Sequence, residues 1–560
     1  MTLLALKIVL VSQEGGLPFI FRHRNTSAKR GRLAGVLIGA SLVLASCSSG
    51  SSGSTAATTA STAAPAATIK NGGQIIVGLP AAPEALDPAT EATYYGRIVF
   101  ANMCLGLYGI SSTGLPTPVL ASAPPVISDG GLTYTISLRS GVKFNDGTPL
   151  NAAAVVTSLT RDQTLPTSAR ASALKDIVSV TATGTDTVQL KLASPDSALT
   201  TILAGRSGIV VSPTALTNEG ANFGQQPVCV GPFMFSSRPS LDQINLVKSP
   251  YFYDASKVHA ASLDFTVITD PSTCYSNLLS GAINVAACLA PNDVALLKSN
   301  SAYQTQTVIT NAYAGLDINV GNANGYNKPS AAPNNPFAQH PSLMKAFELS
   351  ISRKTINNVV FSGINQPGCT PLAPNSPYHT SIGCTHRNIA EAKAIIAATG
   401  VSTPIPVTLM EPTGTLNTQE GEVIASEAAQ AGFNVTVQST EFTTALAAAE
   451  SGNYEMFAIG WSGRVDPDQN ITPFYAPGSA LNYTGVQDPT LQSLLVQGRT
   501  ATTVSARKAV YAQVEQRLAS DLGIIYLYHE AFQLATSAKL QGVSFTPDGI
   551  IHFANAGFTS

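Results

Sequence analysis

Between Asn388 and Gly460 the chain alternates helix and strand signatures, and that alternation limits its fold more than any other feature. Asn388 caps a helix running to Thr399, which Gly400 stops. Pro406 to Met410 has the pattern of a strand, and Asn417 to Ala431 is helical, stopped by Gly432. Asn434 to Gln438, Phe442 to Glu450 and Met456 to Gly460 follow as strand, helix and strand. Successive strands separated by helices cannot be joined as hairpins, so they lie in a partly parallel sheet covered by helices. Upstream the pattern changes. Leu132, Tyr134, Ile136 and Leu138 alternate with Thr133, Thr135, Ser137 and Arg139, which predicts a half-buried strand. Val178–Ala182 and Thr187–Leu192 flank a Gly-Thr-Asp turn as a hairpin, and Asn151 caps a helix beginning at Ala152. The chain has no internal repeat.

About 490 residues follow Ile69, too many for one core, so two or three domains are expected. Nothing after Ala45 is long and apolar enough to span a membrane. The chain carries 31 basic and 33 acidic residues. Without residues 1–46, which hold six Lys/Arg and one Glu, 25 basic and 32 acidic groups remain, a net of −7. No basic field suits nucleic acid.

The start of the chain is a separate unit. Arg22, Arg24, Lys29, Arg30 and Arg32 precede an apolar run of about 13 residues, Leu33 to Ala45, too short to span a bilayer. The tetrapeptide Leu44-Ala-Ser-Cys47 closes it. Positive charge, a short apolar core and small residues before a cut site form a secretory signal over 1–46. A cysteine directly after them resembles the lipobox of bacterial lipoproteins, with Cys47 as the lipidated residue. Residues 48–68 are Ser, Thr, Ala, Gly and one Pro, with no charge. They cannot bury enough surface to fold, and 21 such residues span about 25 Å. Residues 47–69 are therefore expected to tether an extracytoplasmic body to the cell membrane. Thr2 to Val11, apolar apart from Lys7, makes the leader unusually long, which a start site assigned too far upstream would explain.

Outside the cytoplasm, cysteines pair. Six remain beyond Cys47: Cys104, Cys229, Cys274, Cys288, Cys369 and Cys384. Short-range closure suggests Cys274 with Cys288 and Cys369 with Cys384, leaving Cys104 with Cys229. The rival is a metal site of Cys369, His379, Cys384 and His386, whose spacing matches no paired-ligand zinc pattern. No metal and no cofactor are expected.

Pro118-Val-Leu-Ala-Ser-Ala-Pro, Ser128-Asp-Gly-Gly-Leu-Thr-Tyr-Thr-Ile and Val142-Lys-Phe-Asn-Asp-Gly-Thr-Pro-Leu-Asn-Ala resemble the signature of family 5 extracellular solute-binding proteins. These are the dipeptide-, oligopeptide- and nickel-binding lipoproteins of ABC importers. Further blocks stand in family order: Leu86-Asp-Pro, Leu105-Gly-Leu-Tyr, Gly231-Pro-Phe, Leu278-Leu-Ser-Gly, Leu316-Asp-Ile-Asn, Ser352-Arg-Lys, Ala392-Lys and Gly460-Trp-Ser-Gly-Arg-Val-Asp-Pro-Asp. The resemblance covers residues 73 to 530. The chain departs from it at Asn284, where the family usually has an acid, and at Ser352-Arg353, where it has Asp-Arg.

The resemblance implies an α/β, two-lobed periplasmic-binding-protein-like fold of type II, with an extra subdomain on lobe I and a hinge between the lobes. Lobe I is expected at 70–311, with the subdomain at 112–228, and returns at 528–560. Lobe II is expected at 312–527, with crossings near Leu316 to Asn319 and Ile524 to Tyr528. The implied function is capture of a di- or oligopeptide, or a peptide-like solute, for an ABC permease whose ATPase is a separate subunit. The protein is expected to be a monomer. The alternative is a surface lipoprotein using the fold as a sensor or a receptor for a protein partner.

The loop Gly460 to Asp468 follows a strand whose carboxyl end faces the cleft, where open α/β sheets bind ligands. Trp461, the only tryptophan, can stack on a ligand or wall the pocket. In peptide-binding relatives an acid of this loop pairs with the ligand's α-ammonium; here Arg464 stands in that place, a planar cation suited to carboxylate or phosphate. Asp466 can receive an amine or shape the turn. Tyr94, Tyr95, Val230 and Phe442 are the further candidate contacts, and Tyr108 reads as core. An enzyme is disfavoured. Gly460-Trp-Ser-Gly and Gly205-Arg-Ser-Gly lack the second glycine of a nucleophile elbow, and His529-Glu530 lacks the second histidine of a zinc-peptidase helix. No phosphate-binding G-x-x-x-x-G-K-[ST] loop exists.

Overall fold

A computed structural model describes residues 68–326, 328–520 and 523–559. Cys47, the leader and nearly all of the tether lie outside them. Ile69, assigned above to the tether, already belongs to the folded body: it bridges Thr559, and Lys70 N donates to the Phe558 carbonyl at 2.9 Å.

One eleven-stranded sheet runs through the molecule. Its order is Phe433–Thr440, Ile405–Pro412, Met456–Trp461, Tyr303–Ile318, Ile524–Ser537, Val285–Ala286, Gln74–Leu79, Ser262–Val267, Gln243–Lys248 and Phe233–Ser240, with Gln366–Pro367 paired to Ile524–Ser537 off this path. The alternation legible in the sequence makes one end. Ile405–Pro412 pairs in parallel with Phe433–Thr440 and with Met456–Trp461. Helices Ile389–Thr399, Thr415–Ala429 and Phe442–Ser451 make the connections. The caps are physical. Asn388 accepts from Glu391 N at 3.2 Å, and Gly400 leaves its helix at φ 73°, a conformation that suits glycine.

Two long antiparallel strands, Tyr303–Ile318 and Ile524–Ser537, belong to both lobes. Their first stretch, Tyr303↔Ser537 to Ile309↔Ala531, lies beside Val285–Ala286. Their second, from Tyr313↔His529 to Asp317↔Ile524, lies beside Met456–Trp461. Between them Thr310, Asn311 and Ala312 stand against the single residue Glu530, a bulge that bends the ladder. The crossing therefore falls earlier on the first strand and later on the second than the sequence suggested.

Separate cores flank the crossing. Ile75, Val77, Ile98, Phe100, Phe233 and Phe265 pack on one side; Leu316, Phe347, Leu409, Ile424, Phe433 and Met456 pack on the other. A four-stranded sheet, Val126–Ser128, Thr133–Ser137, Thr187–Leu192 and Ile177–Gly184, carries helix Ala152–Thr164 and forms a third core around Ile136, Val155, Leu159 and Leu190. The two departures from the family pattern keep local hydrogen bonds. Asn284 Oδ1 accepts from Ile76 N at 2.9 Å, and Ser352 Oγ caps its helix by accepting from Thr355 N at 3.1 Å.

Three disulfides tie this framework: Cys104–Cys229, Cys274–Cys288 and Cys369–Cys384. The last removes the thiolates that the rival metal cluster needs, and His379 Nδ1 instead lies 3.3 Å from Glu515 Oε1. No helix among the described residues is long and apolar enough to cross a membrane.

Candidate functional site

A cavity of about 920 Å³ lies beside the crossing. One wall comes from helix Tyr94–Met103, from the segments around Leu105–Ile110, Ala169–Asp176 and Thr201–Ile209, and from Thr546–His552. The other is the loop and helix from Trp461 to Leu481, with Arg499. Across the cleft Ser197 N donates to the Arg499 carbonyl at 2.9 Å, and Ser197 Oγ donates to the Gly498 carbonyl at 3.2 Å. The lobes thus meet through backbone groups, and the cavity is closed on that side.

The loop after Met456–Trp461 is held by Asn470, a buried residue that sequence reasoning missed. Its Oδ1 accepts from Trp461 Nε1 at 3.1 Å and from Arg464 N at 2.6 Å, and its Nδ2 donates to the Arg464 carbonyl at 2.6 Å. Gly463 sits at φ 68° against the Asn311 backbone, where a Cβ would collide. The ligand loop is therefore packed on the bulge of the crossing strands.

Arg464 has its guanidinium carbon 4.5 Å from the Trp461 ring centroid and donates to Ser462 Oγ at 3.0 Å and to the Gly463 carbonyl at 2.7 Å. No carboxylate pairs with it among the described residues. Burial, then the charges of Arg97 and Arg170, push its pKa down to about 9. On the strand bulge Glu530 is exposed, yet the surrounding protein raises its carboxyl to about 7. Its Oε1 lies 3.2 Å from where a Cβ of Gly460 would stand, on the strand face opposite Trp461 and outside the lining of the cavity.

The model of the bacterial extracellular solute-binding proteins, family 5 Middle, matches residues 116–482. The chain belongs to that family. It is a substrate-binding protein of ABC importers and not an enzyme. The glutathione-binding protein GsiB of Pectobacterium atrosepticum is 24% identical to it over 498 residues, 86% of this chain and 94% of that protein. The ABC transporter substrate binding protein CtaP of Listeria monocytogenes superposes with a TM-score of 0.77 at 19% identity, over 88% of this chain and 100% of that one. A dipeptide binding protein of Pseudoalteromonas sp. SM9913, solved with Met-Leu, gives 0.73 at 18% identity, over 87% and 100%. At such identities the structures speak for the two-lobed fold.

Within this solute-binding protein the residues singled out from sequence separate. Trp461 and Arg464 line the cavity. Asp466 does not: it is fully buried, and both its oxygens are taken by Arg507, at 2.7 and 2.8 Å, so no oxygen is left for a ligand amine. Val230 is also withdrawn. Its side chain is fully buried in the core of the extra subdomain, and its carbonyl accepts from Leu105 N at 2.7 Å. Phe442 is half exposed at the start of its helix, away from the cavity, because the helix turns that face to solvent. Tyr94 lies behind the wall, its hydroxyl donating to the Gly549 carbonyl at 2.7 Å, with Tyr95 edge-on to it at 5.6 Å. Tyr108 is core, as its sequence context suggests, although it also borders the cavity. Sequence reasoning did not single out Arg97, Arg170 or Arg206. They come from three distant segments, and only the folded chain brings them to one cavity.

Proposed function

We propose that the protein captures a small peptide-like solute between its lobes and delivers it to an ABC permease, anchored meanwhile to the cell membrane by lipid on Cys47. The observation that carries this reading is a large cavity walled from both lobes beside the crossing strands. A volume of about 920 Å³ falls in the range that encloses a small ligand. Arg464, on the cavity wall with no carboxylate partner among the described residues, offers a cation to a solute carboxylate. The relatives named as binding glutathione and a dipeptide support a peptide-like solute. Closure follows from linkage: a solute that touches both walls favours the closed state by its differential affinity for that state. The bulge at Thr310–Ala312 is where the lobes would bend, and the Gly463 contact ties the ligand loop to it.

Deleting the gene and measuring uptake of the solute released from the purified protein tests the reading. Uptake should be lost and restored by the wild-type gene; intact uptake would reject transport. Cys47→Ala should move the protein out of the detergent phase, and unchanged partitioning would reject the anchor.

A further inference from the structure

Charged groups around the cavity do not balance. Of the ionisable side chains lining it, six are basic and four are acidic. Two pairs neutralise one another: Arg97 with Asp548, and Arg499 with Asp468 at 3.5 Å. Arg170, Lys175, Arg206 and Arg464 are left against Asp176 and Asp196. Burial, then Asp466 and Asp468, raise the Asp196 carboxyl to about 7, which weakens even that counter-charge at neutral pH.

The surplus is concentrated in guanidinium groups, of which Arg170, Arg206 and Arg464 have no carboxylate within ion-pair distance among the described residues. Arg206 is buried and donates only to the carbonyls of Thr93, at 2.8 Å, and Ala92, at 3.2 Å. Arg170 donates to the Glu91 carbonyl at 2.9 Å, and its buried Nε finds no acceptor. Arg97 spends one nitrogen on Asp548 while its buried Nη1 finds none. Burial, then Arg170, Arg97 and Arg464, push Arg206 down to about 8. A guanidinium keeps its proton at neutral pH, so this mutual repulsion, offset only in part by the charges of Glu91 and Asp162, favours the arrival of an anion. Carbonyl bonds alone would explain Arg206 as a brace for the start of helix Tyr94–Met103. They do not explain why three further guanidiniums from both lobes share its neighbourhood in a chain whose residues 47–560 are net negative.

We infer that the solute carries at least two acidic groups, held by a guanidinium cluster that Arg97, Arg170 and Arg206 begin on one lobe and Arg464 completes from the other. Each planar fork offers a carboxylate two parallel bonds, so the cluster selects for number and spacing of acids. Because Arg464 arrives with the second lobe, a solute with one acid satisfies one wall only, whereas a diacid bridges both. This inference deepens the proposed function and rests on its assignment of the cavity as the solute site.

Calorimetry on the mature protein with matched probes tests it: Ala-Glu against Ala-Gln, glutathione against its diethyl ester, and citrate as a polyacid that is not a peptide. Each acidic peptide should bind roughly tenfold or more tightly than its partner with fewer acidic groups. Arg170→Gln and Arg464→Gln, one from each lobe, should reduce that preference to within about twofold. Equal affinity within each pair, or variants that keep the preference, overturns the inference and leaves the peptide reading standing. Binding of citrate but of no peptide keeps the acidic cluster and rejects the peptide reading. Failure of every probe rejects both. The wild-type comparison within each pair decides the matter even where a variant does not fold.

Discussion

Arg464 and Asp466 share one loop, yet their chemical situations are opposite. The guanidinium of Arg464 lies over Trp461 with backbone and hydroxyl acceptors only, whereas Asp466 is closed off by both nitrogens of Arg507. Losing a desolvated, charge-assisted contact costs about 2–5 kcal/mol, so Arg464→Ala is expected to weaken solute binding by roughly 30-fold or more. Arg464→Lys should recover part of that, because an ammonium lacks the planar fork. The melting temperature without solute should hardly change, and calorimetry beside a thermal melt reads both effects. Asp466→Asn should do the reverse. It leaves Arg507 buried without its counter-charge, a loss of about 3–5 kcal/mol that a denaturant midpoint reads directly. The loop singled out in the sequence does line the cavity, but the sequence could not divide these roles. The residue that claims Asp466 lies far along the chain, and nothing local to Asp466-Pro-Asp468 announces it. The turn-shaping option did carry a trace of the answer, since Asp466 Oδ1 accepts from Asp468 N at 3.0 Å.

Elements were far more legible than contacts, because periodicity and caps act over a few residues. The alternating run from Asn388 to Gly460 appears in the structure with boundaries shifted by a residue or two. The bulge in the crossing strands was not legible, because it depends on pairing between segments far apart in the chain. One strand of the second lobe also carries a consequence that only the structure exposes. Glu411 is buried on Ile405–Pro412, and its Oε1 has no partner among the described residues. Burial, then the charge of Glu420, raise its carboxyl to about 9 from the ordinary 4.5. A folded state that holds this proton more tightly than the unfolded chain loses stability as pH rises from 4.5 to about 9, and its full contribution is present below that window. Glu411→Gln is therefore expected to gain stability over wild type as pH increases. Urea midpoints at about pH 5 and about pH 8.5 should show a difference that grows with pH. A constant difference would place the charge elsewhere.

For the molecule as a whole, composition and the family blocks made the two-lobed architecture readable. They left the solute open, because specificity depends on which charges face one another after folding. Residues 47–560 are net negative, yet one cavity gathers a surplus of cations. A low-dielectric cleft lined by one sign of charge focuses its field on the ligand, so capture of an acid here does not require a basic protein. The most direct measurement is mass spectrometry of the small molecules released when the mature protein, purified without added solute, is denatured. The account predicts one dominant peptide-like solute with at least two acidic groups, near one molecule per chain and depleted in Arg464→Ala. A dominant neutral or cationic solute, retained equally by Arg464→Ala, would contradict it.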